Sequence, residues 1–242
     1  MKKIRLQNAL AQAGIASRRK AATLIESGRV KVSGKVIKER GFRVDTSVDI
    51  IVFNSKSIAC DAKMRYLILN KPAGIISTAN DEHGRKTVLD CVKTKPPGFH
   101  AVGRLDKDTT GLMILTNDGE LTYRLTHPKF QVDRVYEAKA KGRISAGSIE
   151  RLMSGIAIDG KTARAEKITV LHMGANSTFL NITMREGRKR EVRKMLKTVG
   201  HRVLELKRLA YGPLKLGSLE IGRSRDLTER EVKDLKKCVG LR

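Results

Sequence analysis

The chain has 242 residues, and a hydrophobic content of 40% is enough for one or two packed domains. Its 50 Lys and Arg residues against 25 Asp and Glu residues give a formal net charge of +25. Because so much like charge repels itself, the excess indicates a polyanionic partner, with nucleic acid first and an anionic membrane surface second. No apolar run approaches the roughly 18 residues of a spanning helix, and no signal-peptide core is present, which leaves nucleic acid as the expected partner and no membrane.

Cysteine and histidine usage points to a reducing compartment without a metal site. Cys60, Cys91 and Cys238 lie far apart and form no C-x-x-C pair, which argues against a disulfide framework and against structural zinc. The five histidines form no H-x-x-x-H pair. We therefore expect a cytoplasmic protein that binds no metal.

Residues 1–57 form a distinct basic segment, with 13 Lys and Arg against 4 Asp and Glu. Apolar residues recur at helical spacing over 6–13, and Ser17 is a good N-cap for a second helix that Gly28 would end. Alternating valines then run into Ser33-Gly34, which is typical of a hairpin turn. The segment therefore predicts two short helices followed by a hairpin.

The order of residues in 6–34, LxxALAxAGIASRRxAxxLIExGRVxVxG, closely resembles the RNA-binding domain named after the small-subunit ribosomal protein S-four. The resemblance implies that the start of the second helix meets RNA phosphates. Physical chemistry agrees, because a helix N-terminus offers free N–H groups and adjacent cations release counterions from RNA. The predicted RNA contacts of this segment are Arg5, Ser17, Arg18, Arg19, Lys20, Arg29 and Lys31.

Beyond about residue 61 the pattern changes to short strands mixed irregularly with helices. Such mixing favours an α+β domain with a mixed, mainly antiparallel sheet and flanking helices over a doubly wound series. We therefore expect an S-four-type RNA-binding domain at 1–57, a linker at 58–64 and a catalytic domain at 65–242. The predicted strands are 66–69, 112–115, 132–140, 168–171 and 179–184, and the predicted helices are 146–153 and 191–199.

A loop framed by two glycines leaves a strand within 103–112. Asp106 lies there between apolar Leu105 and basic neighbours, which would keep a shielded carboxylate ionised, as an aspartate nucleophile requires. The residues alone do not single it out, because Asp108 and Asp118 are equal candidates.

Three longer motifs identify a family. They are GRLDxxTxGLxxLTNDGEL from residue 103, LNKPAGIISTxxDxxGRxTV over 69–88, and EGRKREVRKML over 186–196. Together with the basic segment, they closely resemble the ribosomal RNA pseudouridine synthases, and within them the type B branch that acts on the large subunit. The resemblance implies a monomeric enzyme that isomerises uridine to pseudouridine in ribosomal RNA without a cofactor.

Site residues follow from that resemblance. It makes Asp106 the catalytic aspartate, acting either by covalent addition or as a base at C2′, and it places Arg104 in the gap left by a flipped nucleotide. It stacks Tyr136 on the uracil as a proton shuttle, and the alternation of 134–140 independently turns that side chain inward. It also pairs Arg193 with the catalytic carboxylate, for which a bidentate guanidinium is suited. Further RNA contacts are expected at Arg188, Lys189, Arg190 and Lys194.

Residues 155–162 fit the phosphate-loop pattern G-x-x-x-x-G-K-T letter for letter. That pattern binds nucleotides only between a strand and a helix. Here the isoleucines alternate as in a strand and Asp159-Gly160 is a hairpin turn, so we predict a hairpin instead.

Three alternatives remain open at this point. The chain could be a non-enzymatic RNA-binding protein, a different RNA-modifying enzyme such as a methyltransferase, or a pseudouridine synthase for small-subunit or transfer RNA. No cofactor motif supports a methyltransferase. The particular uridine is not encoded in any motif, because site choice depends on RNA shape.

Overall fold

A computed structural model of the chain describes residues 3–59, 63–78, 81 and 83–241. The chain divides into two compact units, and the described residues of each are treated separately below. The first unit comprises Met1–Arg65, Lys93–His100 and Thr116–Gly119. The second comprises Tyr66–Val92, Ala101–Leu115 and Glu120–Arg242.

The first unit begins with a two-residue strand and two helices, which are followed by short strands. Its elements are β1 (Ile4–Arg5), α1 (Leu6–Gln12), α2 (Arg18–Glu26), β2 (Val30–Val32), β3 (Lys35–Ile37), β4 (Arg43–Val44), β5 (Ile51–Phe53) and β6 (Lys56–Ser57). Strands β3, β2, β5 and β6 lie side by side in a small antiparallel sheet, and β1 pairs with β4.

Local signals in the sequence explain these elements. The Ser17 side chain caps α2 by accepting the backbone N–H of Lys20 at 3.3 Å. Ser33 and Gly34 have φ angles of 46° and 86°, which the tight turn between β2 and β3 requires. A core that includes Leu10, Ile25, Val30, Val44 and Ile51 fills the space between helices and sheet. The predicted order of helix, helix and hairpin is confirmed.

The second unit is built on one large sheet. The elements after residue 65 are β7 (Tyr66–Lys71), β8 (His100–Ala101), β9 (Thr110–Thr116), α3 (Gly119–Thr126), β10 (Arg134–Lys141), α4 (Ala146–Ser154), β11 (Ile156–Ile158), β12 (Lys161–Ala163), β13 (Lys167–Met173), β14 (Ser177–Met184), α5 (Glu191–Thr198), β15 (Val203–Tyr211), β16 (Leu214–Lys215), β17 (Ser224–Asp226) and α6 (Glu229–Lys237). Two 3₁₀ turns are added at Val88–Cys91 and Pro128–Phe130.

The main path of the sheet runs β13-β14-β10-β15-β9-β7-β17. Strand β10 pairs antiparallel with both β14 and β15, whereas β15 and β9 are parallel. At that parallel contact, Gly111 lies opposite Arg208 with a φ of 103°, and a Cβ at Gly111 would lie 2.3 Å from the carbonyl oxygen of Arg208. Glycine is therefore required there. The expected α+β class with a mainly antiparallel sheet is confirmed.

Buried side chains of the central strands pack under the flanking helices. Ile68 of β7 and Leu112 and Ile114 of β9 contact a cluster that includes Leu121 of α3 and Leu235 of α6. Burial of this apolar surface is the main stabilising contribution of the unit. None of the helices in the described ranges is long and apolar enough to cross a membrane.

The segment that matches the phosphate-loop pattern is the hairpin β11–β12. Its turn residues Asp159 and Gly160 have φ angles of 49° and 74°, and the strand β13 comes next along the chain. The predicted hairpin is confirmed. The segment therefore matches the nucleotide-binding pattern in sequence but not in structure.

Candidate active site

The loop between β8 and β9 carries Asp106, whose side chain is partly buried. The backbone N–H of Thr109 donates to the carbonyl of Asp106 at 3.1 Å and closes the turn. On the other side, the Ser77 hydroxyl accepts the N–H of Leu105 at 3.0 Å and donates to the carbonyl of the same residue at 2.7 Å. The backbone on both sides of Asp106 is therefore fixed.

Lys71, the last residue of β7, holds the same loop from inside the protein. Its buried ammonium donates to the carbonyls of Pro72, Lys107 and Thr109 at 3.0, 3.2 and 2.9 Å. Burial lowers the pKa of Lys71 from 10.5 to about 8, although the carboxylates of Asp108 and Asp106 oppose this shift. No pattern in the sequence predicted this role of Lys71. A lysine between a buried strand and a proline was the available signal.

Lys71→Met is expected to destabilise the second unit by about 3 kcal/mol, because it leaves buried carbonyl groups without a donor. Denaturant unfolding of the variant and the wild type measures this difference. Because the folded pKa lies below the unfolded one, the unfolded chain binds more protons between pH 8 and 10.5, so the contribution of Lys71 to stability rises with pH in that window. A Lys71→Met variant as stable as wild type would contradict this role.

A cavity of about 190 Å³ opens beside Asp106. The Asp106 loop, the sheet strands and the segment before α5 all contribute to its wall. The lining residues are Arg104, Leu105, Asp106, Thr109, Tyr136, Met184, Glu186, Gly187, Arg188, Lys189, Arg190, Glu191, Val192 and Leu206. The structure therefore brings Asp106, Tyr136 and Arg104 together around one pocket.

Tyr136 lies in the middle of β10 and is 8% exposed. Side chains along β10 alternate between buried and partly exposed positions, with Tyr136, Ala138 and Ala140 on the buried side. The predicted inward orientation is confirmed. Register places Tyr136 between Ile182 of β14 and Arg208 of β15, so its backbone is held on both sides.

Arg193 lies on α5, and its guanidinium contacts backbone carbonyls of the Asp106 loop and of β15. Its guanidinium donates to the carbonyls of Asp108 and Val203 at 3.4 and 3.3 Å. The direct ion pair with Asp106 that the resemblance implies is not formed between these two described residues. Burial lowers the pKa of Arg193, as does nearby Arg190, while the charge of Asp106 opposes both. Arg193 is therefore held near the carboxylate without contacting it.

The predicted RNA contacts of the first unit, from Arg5 to Lys31, all have exposed side chains. Arg29 also donates to the Asn54 side chain at 3.1 Å and lies over the ring of Phe53. Exposed cations around the start of α2 form a surface that suits a phosphate backbone.

In the second unit the four predicted contacts divide into two pairs. Lys189 and Arg190 are exposed. Lys194 pairs with the carboxylate of Asp159, and Arg188 is bonded to internal carboxylate and carbonyl groups. Both side chains stay partly exposed, Arg188 at 29% and Lys194 at 35%, so the RNA contacts expected of them remain predictions. Within the described ranges, no group of three or more His, Cys, Asp or Glu side chains could hold a metal ion.

The architecture of the chain is that of the pseudouridylate synthases. A crystal structure of pseudouridylate synthase superposes with a TM-score of 0.67 at 28% identity, covering 96% of this chain and 99% of the other. The RNA pseudouridylate synthase family model matches residues 65–198, and the S4 domain model matches residues 4–50. The chain therefore belongs to the RNA pseudouridylate synthase family and carries an S4 domain.

Two relatives match this chain along nearly its whole length. Ribosomal large subunit pseudouridine synthase B of Bacillus subtilis is 44% identical over 96% of this chain and 95% of its own length. An uncharacterized RNA pseudouridine synthase of Aquifex aeolicus is 41% identical over 100% of this chain and 97% of its own. The methyltransferase and the non-enzymatic RNA-binding protein are thereby set aside as alternatives.

Proposed function

We propose that this enzyme converts a uridine of large-subunit ribosomal RNA into pseudouridine in the pocket beside Asp106. The observation that carries the proposal is the convergence of Asp106 and Tyr136 on one cavity with a basic wall at 186–190. The large-subunit substrate is supported by the name of the Bacillus subtilis relative. The net charge of +25 supports RNA binding in general. The proposal includes a cytoplasmic enzyme, as the cysteine pattern indicates, and a monomeric one, as the family resemblance suggests.

The reaction breaks the bond from uracil N1 to C1′ and forms a bond from C5 to C1′, while C5 loses a proton and N1 gains one. Asp106 would act on the sugar or the base at the start of this sequence. Tyr136 would stack on the detached uracil and carry the C5 proton. Arg193 would help to hold the Asp106 loop through the carbonyl of Asp108. Arg104, exposed at the rim, would occupy the space of the flipped nucleotide.

RNA binding and catalysis are assigned to different parts of the chain in this proposal. We assign residues 1–57 to RNA binding, 58–64 to a linker and 65–242 to catalysis. Exposed Arg18, Arg19 and Lys20 open α2, whose first N–H groups are not used within the helix. Lys189 and Arg190 supply further positive charge at the pocket itself.

Purified protein incubated separately with large-subunit, small-subunit and transfer RNA transcripts tests the proposed function. We expect one pseudouridine in the large-subunit transcript and none in the others. Modification confined to small-subunit or transfer RNA would contradict the substrate assignment, and no pseudouridine in any transcript would contradict the reaction.

Arg18→Ala combined with Arg19→Ala should weaken RNA binding and flatten its salt dependence. Each phosphate that the protein no longer neutralises lowers the slope by roughly 0.7–0.9 log unit of affinity per log unit of salt. Titrations of RNA at several salt concentrations measure this change, and the rate of the bound complex should stay the same. Lys35→Ala with Lys38→Ala removes the same charge from exposed positions that are not at the start of α2, and serves as the control. Equal salt dependence of RNA binding in the two double variants would contradict specific phosphate binding at the start of α2.

A further inference from the structure

Arg188 and Glu191 bond to each other across the segment that leads into α5. The Arg188 Nε atom lies 2.9 Å from Oε1 of Glu191, and the backbone N–H of Arg188 donates to Oε2 of Glu191 at 3.1 Å. The backbone N–H of Glu191 in turn donates to the carbonyl of Arg188 at 3.2 Å. Glu191 is only 6% exposed, so its carboxylate needs hydrogen-bonding partners within the protein. We call this pair the Arg188–Glu191 clasp.

The other nitrogens of the Arg188 guanidinium bind the hairpin β11–β12. Nη2 donates to the carbonyl of Thr162, and Nη1 donates to the carbonyl of Lys161 at 3.4 Å. Nε also lies 2.8 Å from a carboxylate oxygen of Glu186. All three nitrogens of the guanidinium have protein acceptors, which engage three of its five N–H groups and orient it toward Glu191 and the hairpin.

The clasp encloses a residue in an uncommon backbone conformation. Arg190 has a φ of 55°, in the left-handed region that residues other than glycine rarely adopt. Such conformations persist only where the surrounding structure fixes them, and they cluster at active sites. In this conformation, Arg190 Nη1 lies 3.8 Å from a carboxylate oxygen of Asp108, two residues beyond Asp106.

The same helix start determines where Arg193 lies. Glu191 is the first residue of α5, and Arg193, two residues later, donates to the carbonyl of Asp108 at 3.4 Å. Both links from this region to the Asp106 loop therefore depend on how the segment 186–191 is folded. The clasp fixes that segment from the opposite side, through β11–β12.

The geometry points to the Arg188–Glu191 clasp as a positioning device for the proposed reaction: it holds the 186–190 wall of the pocket and the start of α5 in register with the Asp106 loop. Arg188 is then a positioning residue and not a phosphate contact. The inference rests on the proposed function of the pocket. A small displacement of reacting groups lowers the reaction rate more than it lowers the binding affinity. Loss of the clasp should therefore slow the chemical step and leave RNA binding intact.

Single-turnover rates at saturating RNA and separate RNA affinities test this inference on the full chain. We expect Arg188→Ala and Glu191→Ala each to lower the rate by about 10- to 100-fold, with the dissociation constant for RNA within about threefold of wild type. The double variant should be no slower than the slower single variant, since both substitutions break one interaction. Glu191→Gln keeps an acceptor for the Arg188 N–H and should recover part of the rate.

Lys161→Ala is the matched control, because it removes an exposed positive charge beside the clasp and leaves the backbone acceptor in place. It should turn over bound RNA at the wild-type rate. If Arg188→Ala instead weakened RNA binding while the rate of the bound complex stayed the same, Arg188 would be a phosphate contact and the inference would be overturned.

Amide hydrogen exchange examines the clasp without any activity assay. In Glu191→Ala, the backbone N–H of Arg188 should exchange faster while the midpoint of global unfolding changes little. Unchanged exchange at that N–H would overturn the clasp. A wild-type enzyme that formed no pseudouridine would instead overturn the proposed function, so the two failures are distinguishable.

Discussion

Asp106→Asn is expected to abolish pseudouridine formation, with a loss of at least about 10⁴-fold in rate, because the variant keeps the shape of the side chain and loses the reacting carboxylate. RNA affinity should stay within about threefold of wild type, since the expected phosphate contacts lie on other residues. Pseudouridine formed per enzyme over time gives the rate, and a binding titration gives the affinity.

Asp108→Asn is the matched control for this substitution. The Asp108 carboxylate lies in the same loop but is exposed and does not line the pocket. The carboxylate also lies 3.8 Å from Arg190, so we expect some loss of rate, far smaller than that of Asp106→Asn. An Asp106→Asn variant within about tenfold of wild type, or an equal loss in Asp108→Asn, would contradict the assignment of the carboxylate.

Tyr136→Phe should lower turnover by about 100-fold or more while RNA still binds, because phenylalanine keeps the stacking ring and loses the hydroxyl proposed to carry the C5 proton. Single-turnover kinetics at saturating RNA separate this effect from binding. Tyr136→Leu, which also loses the ring, should be slower still. Equal rates for phenylalanine and tyrosine would show that the hydroxyl has no chemical role.

Elements with local signals were predictable from the sequence. The cap at Ser17, the stop at Gly28 and the turn at Ser33-Gly34 each act over a few residues, and α2 and the β2–β3 hairpin lie where those signals place them. The same holds for β10, where an alternation of two residues turned Tyr136 inward. Only the boundaries shifted, since β10 spans Arg134–Lys141 and the predicted strand was 132–140.

Elements that depend on distant partners were not predicted. Strand β15 links β10 to β9, and two shifts in its register with β10 interrupt the alternation of its side chains, among which Arg208 is fully buried. The Nε atom of Arg208 donates to the carbonyl of Leu112 at 2.7 Å, a partner 96 residues away. Lys71 was missed for the same reason, since its role depends on carbonyls contributed by the Asp106 loop.

The positively charged residues within 185–208 show why composition alone does not identify RNA contacts. This segment holds 10 Lys and Arg residues against 3 Asp and Glu, which predicts a surface that follows RNA phosphates. In the structure, Arg188 and Lys194 are paired with Glu191 and Asp159, whereas Lys189 is exposed. Composition gives the net charge of such a run, but the fold decides which charges are available to RNA.

A pseudouridine map of the ribosomal RNA from cells that lack this protein tests both the reaction and its substrate. Cells complemented with the wild-type chain should regain one large-subunit pseudouridine that is absent from the deletion strain, and cells complemented with Asp106→Asn should not. An unchanged pseudouridine map in the deletion strain, or full restoration of the modification by Asp106→Asn, would contradict the proposed function.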